Sequence, residues 1–156
     1  MRWNAGRDVL DAMLLANPPR LQRVAPSREH AERLIAQARA HLASASLLAS
    51  DDPEGAYALL YDAARKSLTA ILENQGLRPT SAGGHVAVYD AVRAQLDPPM
   101  GSTIRPFDRM RRNRRDAEYP PSDAPSIDVD MVREDLPKSR ALVDIAAQVL
   151  DEMSPF

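Results

Sequence analysis

Residues 51–76 read DDPEGAYALLYDAARKSLTAILENQG, and this stretch decides the fold. Asp51 and Glu54 have the spacing of a capping box, and Pro53 suits a first helical turn because its missing N–H is not needed there. Apolar residues then recur at helical spacing and form a broad stripe: Leu60, Ala63, Ala64, Leu68 and Ile71. Gly76 predicts the end of this helix, since glycine adopts the left-handed conformation without steric cost. The stripe requires a partner helix.

The preceding segment supplies that partner. Ser27 is the predicted N-cap of another long helix, whose apolar face comprises Ala31, Leu34, Ile35, Ala38, Leu42 and Ala45. We expect the two long helices to pair antiparallel. Further upstream, residues 8–16 predict a short helix that Pro18 and Pro19 end.

Three more helical segments follow the two long helices. A loop over residues 80–84 precedes a shorter helix that ends before Pro98. A fourth helix is predicted from about residue 103 to residue 119. After a proline-rich connector at residues 120–125, a last helix begins at Asp128.

The fold class predicted from these segments is all-α. Aromatic residues make up only 4% of the chain and β-branched residues are never concentrated, so strands have little support. Pro137 should kink or split the last helix, because proline lacks the N–H that a helix interior needs. We expect an up-and-down bundle of about five helices over residues 27–153, after a short helix and linker in residues 1–26.

Composition excludes several classes of function. The chain has no cysteine, which removes disulfides and thiolate zinc sites. Its histidines, His30, His41 and His85, lack the spacing of a helical metal site, and its glycines lack that of a phosphate loop, so neither metal nor cofactor is predicted. A leader and a long apolar span are also missing, which predicts a cytoplasmic protein without membrane contact. The net charge of −2 disfavours a globally basic nucleic-acid binder but allows a local patch.

Such a patch lies in the fourth predicted helix. Residues 105–115 contain six of the twenty basic residues of the chain. Helical spacing places four polar side chains on one face, with Arg114 on the other: Arg112, Arg115, Asp116 and Tyr119. Guanidinium groups bind phosphate oxygens bidentately and stay charged, which points to nucleotides or RNA. The alternative is a solvated helix face on which the arginines pair with neighbouring carboxylates.

The same helix resembles the motif helix of the HEPN family, whose members are helical bundles. The family pattern is an arginine, often followed by a polar residue, then a histidine after a short spacer and a tyrosine. Arg112 and Asn113 match its beginning and Tyr119 its end, but Ala117 occupies the histidine position. Arg111, Arg114 and Arg115 can also be aligned if the pattern is shifted, and Arg112 is preferred because Asn113 then takes the polar position. His85 would replace that histidine only if the start of its helix folds against Arg112, and the sequence favours a helix-start or packing role.

The resemblance extends over about residues 27–152, because residues 56–66 and the glycine that follows are similar to the family's second long helix and its glycine stop. It implies a homodimer in which two motif helices frame one cleft for RNA or nucleotide phosphates. It assigns catalytic positions to Arg112, Asn113 and Tyr119, and the same face adds binding positions at Arg111, Arg115 and Asp116.

The implied function is that of a toxin or defence-system subunit with a nucleotidyltransferase-type antitoxin as its partner. In toxins of this kind the matching tyrosine accepts AMP groups, so Tyr119 is also the predicted modification site. The resemblance leaves metal-independent endoribonuclease activity open, but an alanine at position 117 neither donates nor accepts a proton, so this residue is excluded as a general acid or base. The alternative function is a non-catalytic nucleotide-binding or scaffold domain that partners a nucleotidyltransferase.

Overall fold

The computed structural model describes residues 4–120, 123 and 126–156. Most of them are helical, which confirms the all-α class. In chain order the elements are α1 (Arg7–Leu15), β1 (Leu21–Arg23), α2 (Arg28–Leu48), α3 (Pro53–Gln75), β2 (Leu77–Pro79), α4 (Gly84–Leu96), α5 (Gly101–Ile104), α6 (Pro106–Glu118) and α7 (Val129–Val149). Within the described residues, no helix combines the length and the apolar character needed to cross a bilayer.

The three long helices begin at capping residues. Ser27, Asp52 and Asp128 each accept a hydrogen bond from the backbone N–H three residues further on, which satisfies one free donor of the first turn. The cap of α3 is therefore Asp52 and not Asp51, one residue later than the capping box predicted. Gly76 ends α3 at φ 81°, in the left-handed conformation that was predicted.

Helices α2 and α3 pair antiparallel, as predicted. Lys66 Nζ lies 3.0 Å from Gln37 Oε1, and His41 Nε2 lies 3.2 Å from Asp62 Oδ2. The partner numbers on α2 rise as those on α3 fall, which is the register of an antiparallel hairpin. This pair also forms the most extensive helix contact of the described chain.

Helix α4 departs from the predicted up-and-down order. The Tyr61 hydroxyl lies 2.6 Å from His85 Nδ1, and Gln75 Nε2 donates to Gln95 Oε1 at 2.7 Å. The beginning of α4 thus contacts an earlier residue of α3 and its end contacts a later one, so the two helices run in the same direction. The order is wrong for α4 because β2 and the loop after it lead the chain back along α3 before α4 begins.

A short antiparallel sheet fastens the N-terminal segment to the bundle. Strands β1 and β2 pair over three residues each, and Leu21 and Leu77 point into the core from them. Leu10 and Met13 of α1 are buried in the same core. The described part of residues 1–26, a range predicted as a short helix and linker, thus contributes to the packing of the bundle, and its strand was not predicted.

Prolines have different effects in the fourth and the last predicted helix. The segment predicted as one helix over 103–119 is divided into α5 and α6, and Pro106 is the first residue of α6, where its missing N–H costs nothing. In contrast, α7 is not split at Pro137. Pro137 and Arg133 are both exposed, so solvent can hydrate the Arg133 carbonyl that the proline leaves without a donor. The predicted connector at 120–125 lies largely outside the described residues.

Candidate phosphate-binding site

Two buried side chains fix the rotation of α6 about its axis. The Phe107 ring stacks between Tyr61 and Tyr89, at centroid distances of 5.5 and 5.7 Å, and Met110 is fully buried one turn further on. On a helix, the residues three and four positions later continue the same face. The arginines that follow these two anchors are therefore directed along the surface of α3.

A cleft of about 930 Å³ opens beside these arginines. It is lined by residues from α3, from the start of α4 and from α6, together with His41 of α2. Four guanidinium groups line it, and we call it the basic cleft: Arg65, Arg111, Arg114 and Arg115. Because Arg65 comes from α3 and the others from α6, the positive groups belong to two different helices.

Each of these arginines also has a carboxylate neighbour on its own helix. The pairs and their shortest distances are Arg65 with Asp62 (2.6 Å), Arg111 with Asp108 (2.9 Å), Arg114 with Glu118 (3.5 Å) and Arg115 with Asp116 (3.4 Å). A guanidinium has five N–H donors, and one carboxylate occupies at most two of them well. The pairing predicted for a solvated face is thus present, and donors remain for an anion in the cleft.

His85 enters the basic cleft from the start of α4. Its Nδ1 lies 2.6 Å from the Tyr61 hydroxyl. Burial raises the pKa of Tyr61 to about 12, so this hydroxyl keeps its proton at neutral pH. Burial lowers the pKa of His85, and the positive charges of Arg65 and Arg111 lower it further, which favours the neutral ring.

Asp62 connects the cleft to α2. Burial alone would raise the pKa of this carboxyl, but hydrogen bonds and charges from Arg65 and Lys66 outweigh it and lower the pKa. His41 Nε2 is also 3.2 Å from the Asp62 carboxylate. Asp62 is thus shared among basic side chains. Among the described residues, in the cleft or elsewhere, no three His, Asp or Glu side chains lie close enough together to hold a metal ion.

Asn113 faces away from the basic cleft, into a polar network between α3, α6 and α7. Its Nδ2 donates to the Tyr57 hydroxyl at 3.0 Å, and this hydroxyl donates to Asp135 Oδ2 at 2.7 Å. Arg109 donates to the other oxygen of Asp135, whose side chain is almost completely buried. The network fastens α6 to the bundle, and burial raises the pKa of Tyr57 within it.

The structure separates the site residues predicted from the sequence into three groups. Asn113 belongs to the polar network just described. Two predicted binding residues line the basic cleft: Arg111 and Arg115. Three predicted residues are exposed and lie outside the residues that line it: Arg112, Asp116 and Tyr119. Of the four residues predicted to share one recognition face, only Arg115 therefore lines the cleft.

Three residues of the cleft were missed or underrated from the sequence: Arg65, Arg114 and His85. Arg114 was predicted on the helix face opposite Arg112. It is half-buried, but a long side chain can bury its stem while its charged end reaches the cleft. The spacing of Arg114 from Met110 was the signal that could have found it. Arg65 had a similar signal, since it lies one turn after Tyr61, which contacts α6.

Comparisons with known proteins give no relative for this chain. No protein-family model matches it, and neither does a curated protein or a solved structure. A function for the chain therefore rests on the geometry of the basic cleft and on the resemblance that the motif helix carries.

Proposed function

We propose that the basic cleft binds RNA or a nucleotide through its phosphate groups. The observation that carries this proposal is the position of four arginines, from two helices, around one cleft of about 930 Å³. Guanidinium groups match phosphate oxygens in geometry and keep their charge at any ordinary pH. A local site of this kind is compatible with a chain whose net charge is −2, because the acidic residues lie mainly elsewhere on the surface or pair within a helix.

The wider proposal is a cytoplasmic HEPN-type toxin or defence-system subunit. Its support is the resemblance of the motif helix, together with an all-helical fold in which Arg111 and Arg115 of that helix line the basic cleft. In a homodimer, two motif helices would frame a shared site for RNA. Tyr119 is 74% exposed, so a nucleotidyltransferase-type antitoxin would have access to its hydroxyl.

The second candidate is a non-catalytic nucleotide-binding or scaffold domain that partners a nucleotidyltransferase. Ala117 favours it, because a methyl group transfers no proton and this side chain packs against the hydrophobic core. Both candidates use the same phosphate-binding cleft. They differ in whether bound RNA is cleaved.

The binding proposal is tested by the affinity for a labelled oligouridylate and for uridine monophosphate. Replacement of Arg111 and Arg114 by glutamine should weaken oligouridylate binding at least tenfold. It should also reduce the dependence of affinity on salt by about one counterion for each phosphate that no longer meets a guanidinium. The matched control is Arg112→Gln, on the same helix but outside the cleft, where a change of less than about twofold is expected.

An unchanged affinity in the Arg111/Arg114 variant, or binding of neither ligand to the wild type, would contradict the proposal. A reduced affinity confined to Arg112→Gln would instead support the arginine register taken from the family pattern. AMP adducts that appear in the intact mass on co-expression with the partner and vanish in Tyr119→Phe would support the toxin proposal. Cleavage of RNA by Ala117→His but not by the wild type would favour the non-catalytic candidate.

A further inference from the structure

We propose that His85 is a proton-coupled phosphate ligand of the basic cleft, neutral in the free protein and positively charged when a phosphate group is bound. This inference rests on the proposed function, because it requires that the cleft binds an anion. It adds a ligand that lies on α4 and outside the motif helix. It also predicts how binding depends on pH.

The hydrogen bond from Tyr61 sets the tautomer of His85 in the free protein. Tyr61 keeps its proton at neutral pH and lies 2.6 Å from Nδ1, and we assign this hydrogen bond as donated by the Tyr61 hydroxyl to Nδ1 of the neutral ring. The ring proton is then on Nε2. One face of the site thus presents an imidazole N–H, a donor suited to a phosphate oxygen.

The charges around His85 come from every element that meets at the cleft. Helix α3 contributes Asp62 and Arg65, α6 contributes Glu118 and three arginines, and α2 contributes His41. Burial and the charges of Arg65 and Arg111 lower the pKa of His85, while Asp62 opposes this effect. The arginines outnumber the carboxylates that line the cleft, so the empty site disfavours a further positive charge.

A bound phosphate reverses this balance. Its negative charge lies among the same arginines, offsets their repulsion and favours the imidazolium. The proton comes from solvent and is taken up at Nδ1, which then donates to the Tyr61 hydroxyl, and that hydroxyl turns its own hydrogen toward the cleft. His85 then presents Nε2–H with a full positive charge, and this charge strengthens its bond to the phosphate.

The sign of the pH dependence follows by linkage. Binding raises the pKa of His85, so the bound state holds more protons than the free state between the two pKa values. The affinity is therefore highest at the acidic end and falls as the pH rises through this window, by at most about tenfold per pH unit. Above the pKa of the bound state the affinity becomes constant again.

The test measures oligouridylate affinity by fluorescence anisotropy from about pH 5.5 to about pH 8, a range in which phosphodiesters and uracil do not titrate. The wild type should lose affinity as the pH rises, and His85→Gln should show a flat profile. His30→Gln, whose histidine lies in the first turn of α2, is the matched control and should follow the wild type. Calorimetry in two buffers of different ionisation enthalpy should show proton uptake by the wild type on binding.

A flat wild-type profile, or an unchanged slope in His85→Gln, would overturn the inference. Transfer of the effect to His41→Gln would overturn it too, since that histidine lies on another wall of the cleft. A measurement on the unmodified protein does not depend on the folding of a variant: the imidazole NMR signals of His85 should report a higher pKa in the saturated complex. Binding that requires the arginines but ignores pH would remove only the role of His85, whereas no binding at any pH would contradict the proposed function itself.

Discussion

The polar network around Tyr57 allows a stability prediction whose magnitude follows from its contacts. The Tyr57 side chain is fully buried, and its hydroxyl donates to Asp135 at 2.7 Å and accepts from Asn113 at 3.0 Å. Tyr57→Phe removes both hydrogen bonds while it keeps the ring. Asp135 is only 2% exposed, so its Oδ2 then lacks both a donor among the described residues and easy access to water.

The expected loss of stability is the sum of two terms. A hydrogen bond to a buried charged group contributes about 1.5–3 kcal/mol, and the bond from the half-buried Asn113 amide about 0.5–1.5 kcal/mol. Because water can rehydrate Asn113 in part, we expect a total loss of about 2–4 kcal/mol. In urea, with a slope of about 2 kcal/mol of stability per molar denaturant, the middle of the range for small proteins, the unfolding midpoint should fall by about 1–2 M with no change in slope.

Tyr89→Phe is the matched control for this measurement. Tyr89 is also buried and contacts the same Phe107 ring, but its hydroxyl has no hydrogen-bond partner among the described residues. Its removal should change the free energy of unfolding by less than about 0.5 kcal/mol. If Tyr57→Phe lost less than about 1 kcal/mol, or no more than the control, the network would not fasten α6 as inferred.

Three further predictions concern the ends of α3 and the charge of the cleft. Asp52→Ala should cost about 0.5–2 kcal/mol in urea unfolding and Asp51→Ala almost nothing, since only Asp52 caps α3; equal losses would contradict this cap. Gly76→Ala should destabilise the protein more than Gly84→Ala. Both glycines have positive φ, but only at Gly76 would the new Cβ lie 2.8 Å from the Val24 carbonyl oxygen. The unfolding temperatures of the two variants test this order. Because the pKa of Asp62 is lowered on folding, the Asp62 carboxylate stabilises the protein above its unfolded pKa, and this stabilisation is lost as the pH falls through the folded pKa. The free energy of unfolding of Asp62→Asn should therefore approach that of the wild type below about pH 4. A difference between the two proteins that stays constant with pH would contradict this prediction.

The helices were predictable because their signals are local. Caps such as Ser27, the glycine stop at residue 76 and the apolar stripes all act within a few residues of one another. Strands β1 and β2 were not predictable in this way. They contain three residues each, too few for an alternating pattern, and each depends on pairing with the other across more than fifty residues of sequence. The direction of α4 has the same origin, since it depends on where β2 leads the chain.

The candidate site was predicted in part for a related reason. Composition alone identified the basic helix, but the rotation of that helix depends on which apolar residues bind the core. Phe107 and Met110 decide this rotation, and they direct Arg111 and Arg114 toward α3. The contribution of Arg65 comes from another helix, so no pattern within the motif helix contains it.

The structure also changes the reason for choosing one arginine of the motif over its neighbours. The sequence favoured Arg112 because Asn113 then occupies the polar position of the family pattern. Asn113, however, has a structural partner in Tyr57, which explains an asparagine at this position without any role in phosphate binding. Arg112 itself is exposed and pairs with Asp108 at 3.3 Å, whereas Arg111 lies in the cleft. Buried side chains fix the rotation of the helix, whereas the family pattern can be shifted by one residue. The rotation is therefore the stronger constraint on which arginine contacts a ligand. We expect phosphate binding to depend more on Arg111 than on Arg112.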